Sequence, residues 1–191
     1  VDVVPRLVFE QVSKQIGQPI VVENRGGAGG TIGTQQVARS QPNGYTLLVT
    51  TSAHTIAPAI HANLTYDPGK DLISVIPLGV TPSVLVVPAS MKLGTVADLV
   101  AAAKAAPGKL NYASAGTGSA THFSALRFLT STSTEAVHVP FKGGAEVLQA
   151  FVGGHMVSVS DDGLPDRQKQ GKGQVLMAFT ARRMPRLPNV P

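Results

Sequence analysis

The sequence contains no cysteine and no tryptophan. Without cysteine the chain forms neither disulfides nor thiolate metal sites, and that absence fits cytoplasm and periplasm alike. Aromatic residues reach only 5%, too few to build the stacking platforms on which single-stranded nucleic acids lie. Charged residues are scarce as well, 14% against 43% hydrophobic, and no run is apolar and long enough to form a membrane-spanning helix. No internal repeat or low-complexity tract occurs. The first residue is Val1 rather than Met, and no basic region followed by an apolar one precedes the first helical pattern. Any targeting segment is therefore expected to have been removed or to lie outside this chain.

What is present is a length of 191 residues, enough for one large domain or two small lobes, and a net charge of +5. The charge favours an anionic partner through long-range attraction. The basic residues are scattered apart from RRMPR at Arg182 to Arg186, so the partner expected is not nucleic acid.

Short β-rich runs alternate with helical patterns. The runs are PIVVEN from Pro19, YTLLVTT from Tyr45, ISVIPLGVTPSVLVV from Ile73, LNYASA from Leu110, AVHVPF from Ala136, MVSVS from Met156 and QVLMAFT from Gln174. Between them, TVADLVAAAKAA places Asp98 three residues after Thr95, an acidic variant of the capping box, and Val96, Leu99, Val100 and Ala103 on one face. GAEVLQAFVGG carries Ala145, Leu148 and Val152 on one stripe and ends in glycines that stop a helix. The segment from Asp2 to Ile16 reads as a helix with Val8, Phe9, Val12 and Ile16 inward. Strands separated by helices imply an α/β fold with mainly parallel sheets flanked by helices, and ligands meeting the carboxyl ends of the strands. The run from Ile73 to Val87, broken by Pro77, Gly79 and Pro82, is too long for one strand. It reads as a strand passing between two lobes, with a hinge near Gly79 to Ser83.

The stretch NYASAGTGSATHFSA, from Asn111, is the richest in chemistry. A nucleophile elbow needs Gly-x-Ser-x-Gly, but Gly118 adjoins Ser119 directly. A phosphate loop needs Gly-Lys-Ser/Thr, and no lysine lies between Lys109 and Lys142. What fits is a loop leaving a strand and feeding a helix from about Ser119 to Leu129, capped by Ser119 and made permissive by Gly116 and Gly118. Such a loop aims backbone amides at an anion. A helix-start dipole contributes about 0.3 to 1 kcal/mol, and hydrogen bonds to a charged group roughly 1.5 to 3 kcal/mol each. A few of these hold a carboxylate. The alternative is a glycine-containing turn with no ligand, and His122 as an exposed helix residue.

Other motifs are weaker. ENRGGAGGTIGT from Glu23 imitates a dinucleotide fingerprint, but the third glycine falls on Ile32 and no acid follows until Asp67, which leaves a tight turn. The five histidines, His54, His61, His122, His138 and His155, show no close metal-ligand spacing, so neither metal nor cofactor is expected. KGG from Lys142 repeats the anion-friendly geometry beside a positive side chain, or is a solvated turn. Asp161 and Asp162 follow a strand and point opposite ways, so one of them faces any cleft there.

The chain resembles the substrate-binding proteins of the tripartite tricarboxylate transporter family, also called Bordetella uptake gene proteins. The resemblance rests on DVVPRLVFEQVSKQIGQPIVVENRGGAGGTIGT, PNGYTLLVTTSAHTIAPAI, LTYDPGKDL, PGKLNYASAGTGSATH, VHVPFKGGAEVLQAFVGGH and RRMPRLPNVP, in that order. It implies a periplasmic, two-lobed binding protein of type II, with no catalysis, that captures a small carboxylate (a dicarboxylate, tricarboxylate, acidic amino acid or aromatic acid) for integral membrane transporter subunits, as a monomer. Residues 1–82 would form a first lobe lacking its first strand, 83–178 the second lobe, and 179–191 the start of a return to the first. The family's Pro-Gly-Gly ligand loop would precede Asp2. Carried over residue by residue, the ligand-binding set is Thr51, Ser52 and His54 on the TSAH turn, Ala115, Gly116, Thr117, Gly118 and Ser119 on the glycine loop, His122 behind it, Lys142 and Gly143, and one of Asp161 or Asp162. Two rival readings are a serine hydrolase using Ser119 with His122 or His138, and a fragment that binds no ligand.

Overall fold

The computed structural model describes residues 2–154, 156–160, 171–182, 184–185 and 187–191. The chain divides into two compact units, Val1–Val80 and Thr81–Pro191.

The first unit is helical. Helix α1 (Val3–Ile16) ends at Gly17, whose φ of 68° supplies the left-handed cap. An ion pair from Arg6 to Asp2 (2.7 Å) and a hydrogen bond from Asn24 to the same carboxylate (3.0 Å) tie its start. Val8, Phe9 and Val12 are half-buried, but Ile16, expected inward, is 56% exposed. The glycine run forms the tight turn expected: Gly27, Ala28, Gly29 and Gly30 all have positive φ and turn the chain into α2 (Thr31–Ala38). Helix α3 (Ala53–Ile60) follows. The runs from Pro19 and Tyr45 carry no assigned strand among the described residues, and Val21 and Tyr45 are exposed. A strand is defined by its ladder, and nothing here pairs with them.

The second unit holds a five-stranded sheet of order β3-β2-β4-β1-β5. The strands are β1 (Val84–Pro88), β2 (Asn111–Ser114), β3 (Val137–Pro140), β4 (Val157–Ser160) and β5 (Gly173–Ala178). Of the long run from Ile73 to Val87 only the last four residues, Val84 to Val87, enter it. β2 runs parallel to β3 and to β4, while β1 is antiparallel to both β4 and β5. Four strands therefore share one direction and β1 alone is reversed, so the mainly parallel expectation holds for strand direction while the ladders are mixed.

The helices follow from capping and patterning. Helix α4 (Val96–Ala105) begins with the capping box: Thr95 Oγ1 accepts from the Asp98 amide (3.1 Å) and the Asp98 carboxylate accepts from the Thr95 amide (2.9 Å). The Thr95 and Gly94 hydrogen bonds hold the Asp98 carboxyl below its usual pKa range. Helix α5 (Ala120–Thr132) joins β2 to β3, and α6 (Gly144–Val152) joins β3 to β4. In α6 the inward residues are Val147 and Phe151, with Leu148 packed beside them. Ala145 and Val152 are exposed, which corrects the expected stripe. The i, i+4 pair containing Phe151 has the larger apolar area to bury and sets the rotation.

β1 explains where the core sits. Its side chains alternate, so Leu85 and Val87 join Leu99, Tyr112, Ala125, Phe128, Val157, Val159 and Leu176 on one face. Val84 and Val86 join Phe151, Val175, Ala178 and Val190 on the other. The continuous apolar run VLVV is what a strand covered on both faces requires. The final segment packs on this unit, with the Ala178 amide donating to the Pro191 carbonyl (2.9 Å) and Val190 buried.

Candidate functional site: a glycine-serine corner at the carboxyl edge of the sheet

Because β2, β3 and β4 point the same way, the loops that follow them leave from one edge. Ser114 ends β2 opposite Pro140, the last residue of β3, and the Phe141 amide donates to the Ser114 carbonyl (3.0 Å). The glycine loop and the Lys142 turn thus emerge side by side. Asp161 and Asp162, which follow β4 in the sequence, lie outside the described residues.

The corner between β2 and α5 is built as the sequence suggests. Gly116 has φ 117° and Gly118 φ 84°, positions that disfavour any side chain. Ser119 is the N-cap of α5, its Oγ accepting from the His122 amide (3.2 Å). The loop amides, however, are largely engaged. Ala115 N–H donates to Thr121 Oγ1 (3.1 Å), Gly116 N–H to Ser114 Oγ (3.2 Å), Gly118 N–H to His122 Nδ1 (3.3 Å) and Ser119 N–H to the Gly116 carbonyl (3.1 Å). Among the described residues, the amides of Thr117, Ala120 and Thr121 have no protein acceptor.

Behind the corner stands a stack of rings. Tyr112 and His138, in-register partners on β2 and β3, stack at 4.9 Å, and His138 stacks on His122 at 4.1 Å. Phe123 meets His122 edge-on at 5.8 Å. His138 Nε2 lies 2.6 Å from Ser114 Oγ, and Ser114 is fully buried. Burial, followed by the neighbouring His122, pushes the His138 pKa down to about 4. Burial also lowers the pKa of His122 and raises that of Tyr112. Burial thus disfavours the charged form of each ring in the stack. The local sequence pattern gives His138 no such role and does not single out Tyr112 or Ser114, because their meeting depends on the parallel register of β2 and β3; Thr121 is likewise unmarked.

The Lys142 turn is looser. The Lys142 amide donates to Glu146 Oε2 (3.0 Å), the lysine side chain is exposed, and Gly143 is extended (φ 177°) with open space where a Cβ would stand. In the first unit, Thr51 and Ser52 precede α3. The Thr51 carbonyl accepts from the His54 amide (3.0 Å), and Thr51 Oγ1 from the Ala53 amide (3.4 Å). His54 Nδ1 is buried without a partner among the described residues. Those residues include no group of three His, Asp or Glu side chains placed to hold a metal ion, and no helix long and apolar enough to cross a membrane.

The hydrolase alternative fails on geometry. Ser119 is buried and its Oγ meets Thr121 Oγ1 (3.0 Å) and the His122 amide, not a ring nitrogen. A nucleophile needs a base within hydrogen-bond reach.

The mixed sheet with flanking helices is shared with solved structures of periplasmic binding proteins. The chain aligns over its full length with a periplasmic transporter structure (35% identity, TM-score 0.92, 65% of that chain). It aligns equally with Rhodopseudomonas palustris proteins solved with adipate (32%, 0.93, 64% of that chain) and with malate (32%, 0.91, 66% of that chain). Residues 4–191 match the tripartite tricarboxylate transporter family receptor, and the chain belongs to that family. Sequence relatives include a protein from the gbd 5′ region of Cupriavidus necator (36% identical) and BugT of Bordetella pertussis (32%), each matched over all of this chain. The chain spans 58% and 60% of the length of those two relatives. The family is one of receptors, not enzymes.

Proposed function

We propose that this protein is an extracytoplasmic solute-binding protein that captures a small carboxylate for tripartite-type membrane transporter subunits, working in the periplasm as a monomer. The observation that carries the reading is the glycine-serine corner capping α5 at the carboxyl edge of the sheet, in a chain whose structural neighbours hold adipate and malate. The ligand carboxylate accepts hydrogen bonds from the amides of Thr117, Ala120 and Thr121. The α5 dipole supports the charge, and the net positive chain favours its approach. Lys142 and Gly143 contribute from the turn after β3, and one of Asp161 or Asp162 contributes as well. Thr51, Ser52 and His54 are the candidate ligand contacts within residues 1–82, the first lobe, and residues 83–178 form the second.

Calorimetric titration with malate, adipate, citrate, glutamate and benzoate tests the reading. Saturable heat with at least one of them is expected. Silence from the whole panel, together with no thermal shift, overturns it.

A further inference from the structure

Among the loop amides, the partner of Gly118 stands out. Ala115, Gly116 and Ser119 donate to oxygen acceptors, hydroxyl or carbonyl, which stay acceptors at every physiological pH. Gly118 donates instead to an imidazole nitrogen, His122 Nδ1. That bond exists only while Nδ1 carries a bare lone pair, in the neutral tautomer with its proton on Nε2. A second proton turns the acceptor into a donor facing a donor.

The ring is also fixed in place. His122 is stacked on His138 at 4.1 Å with the planes 16° apart, Phe123 closes one edge, and His138 is itself stacked on Tyr112 and bonded to Ser114 Oγ. The groups facing His122 are thus Tyr112 from β2, His138 from β3, and the Ser119 and Thr121 region of its own helix. Among the described residues no carboxylate hydrogen-bonds or ion-pairs with either imidazole. The packed neutral rings offer a proton on His122 no stabilising partner.

We propose that His122 is the positioning residue of the carboxylate corner: its neutral ring, held by His138 and Tyr112, accepts the Gly118 N–H and keeps the corner in its left-handed geometry, and a proton on His122 releases it. This rests on the carboxylate-binding reading and adds its pH control. The ring acts through Gly118 and not by touching the ligand. Ligand is therefore held at neutral pH and let go on acidification. Burial depresses the affinity of both rings for protons, so release lies below the ordinary histidine range.

The test begins without ligand. In the ¹⁵N-labelled protein, His122 should show the Nε2–H tautomer at pH 7.5, and the Gly118 amide resonance should move along the His122 titration curve. In His122→Asn, whose Oδ1 falls near the position of Nδ1 and does not titrate, the Gly118 response should vanish. A Gly118 amide indifferent to His122 protonation, or a proton on Nδ1 at pH 7.5, overturns the proposal whatever ligand the protein binds. The second arm follows malate affinity from pH 7.5 to 5. His122→Phe keeps the stacking but removes the acceptor, and should bind roughly five- to tenfold more weakly than His122→Asn. The wild type should lose affinity on acidification more steeply than His122→Asn, a difference that cancels the titration of malate itself. Parallel pH curves for wild type and His122→Asn contradict the proposal. Absence of malate binding by the wild type at pH 7.5, with the Gly118 response intact, counts against malate as the ligand and leaves the positioning role supported.

Discussion

The two units of this chain contain similar raw material and treat it differently. In Thr81–Pro191 the apolar runs pair into five strands, and β1 is buried from end to end. In Val1–Val80 runs with the same β-rich character form no ladder among the described residues. Val21, Tyr45, Ile73, Val75 and Val80 are between 81% and 94% exposed. The lesson is that β propensity is a statement about fitting a paired, half-buried surface, not about the backbone of one segment. VLVV at Val84 and VV at Val21 differ in neighbours, not in kind.

The comparison can be broken most forcefully at the core. Phe151→Ala should destabilise the second unit by about 3 to 5 kcal/mol, through lost burial and a cavity against Val84, Val86 and Val175. Val21→Ala should change stability by less than about 0.5 kcal/mol. Denaturant unfolding of both variants checks the contrast, and equal effects would refute it.

The glycine-serine corner of the second unit sharpens the comparison further. Gly118 sits at φ 84° and its amide is part of the corner, so Gly118→Val should cost about 1 to 3 kcal/mol in backbone strain and weaken carboxylate binding. Ser119→Ala should weaken it less, since it removes one hydroxyl and leaves the backbone path intact. Titration of the two variants side by side reads the difference.

The ring stack makes stability depend on pH. Both imidazoles are harder to protonate folded than unfolded, so the unfolded chain takes up protons first as pH falls. Stability should be highest above about pH 6.5, the unfolded value, and decline towards about 4, where His138 charges in the folded chain. Unfolding midpoints at pH 7.5, 6 and 5 should fall in the wild type and fall less in His138→Gln. The carboxylates with lowered pKa values, such as Asp98, begin to lose their contribution near their unfolded values and so overlap only the acid end of that window.

Smaller effects close the series. Thr95→Ala should cost about 1 kcal/mol by removing the α4 cap, measurable by the same unfolding curves. Gly143→Ala should be nearly silent in stability, within about 0.5 kcal/mol, because the backbone there is extended and the added methyl meets open space.

Much of the second unit was legible in the letters. The Thr95 and Asp98 spacing gave α4 and its cap, and the β-rich runs LNYASA and AVHVPF gave β2 and β3. Ser119 gave the start of α5. The reversal of β1 was not legible, because strand direction depends on which neighbours a run finds in space. Nor was the internal use of the loop amides. Glycines announce a turn that can expose N–H groups, but Thr121 Oγ1 and His122 Nδ1 occupy two of them because the first turn of α5 sets those side chains against the loop that precedes it. The stack of Tyr112, His138 and His122 joins residues up to 26 positions apart through a parallel register that no local pattern encodes. In α6, periodicity alone allowed several rotations, and the size of Phe151 chose between them.

The most direct measurement is a ¹H–¹⁵N titration of the protein with adipate and with malate at pH 7.5. The amides of Thr117, Ala120 and Thr121 should shift saturably and together with at least one of the two acids, while the Gly143 amide moves less. Saturable binding that leaves those three amides unmoved would contradict the claim that the open donors of this corner grip the carboxylate.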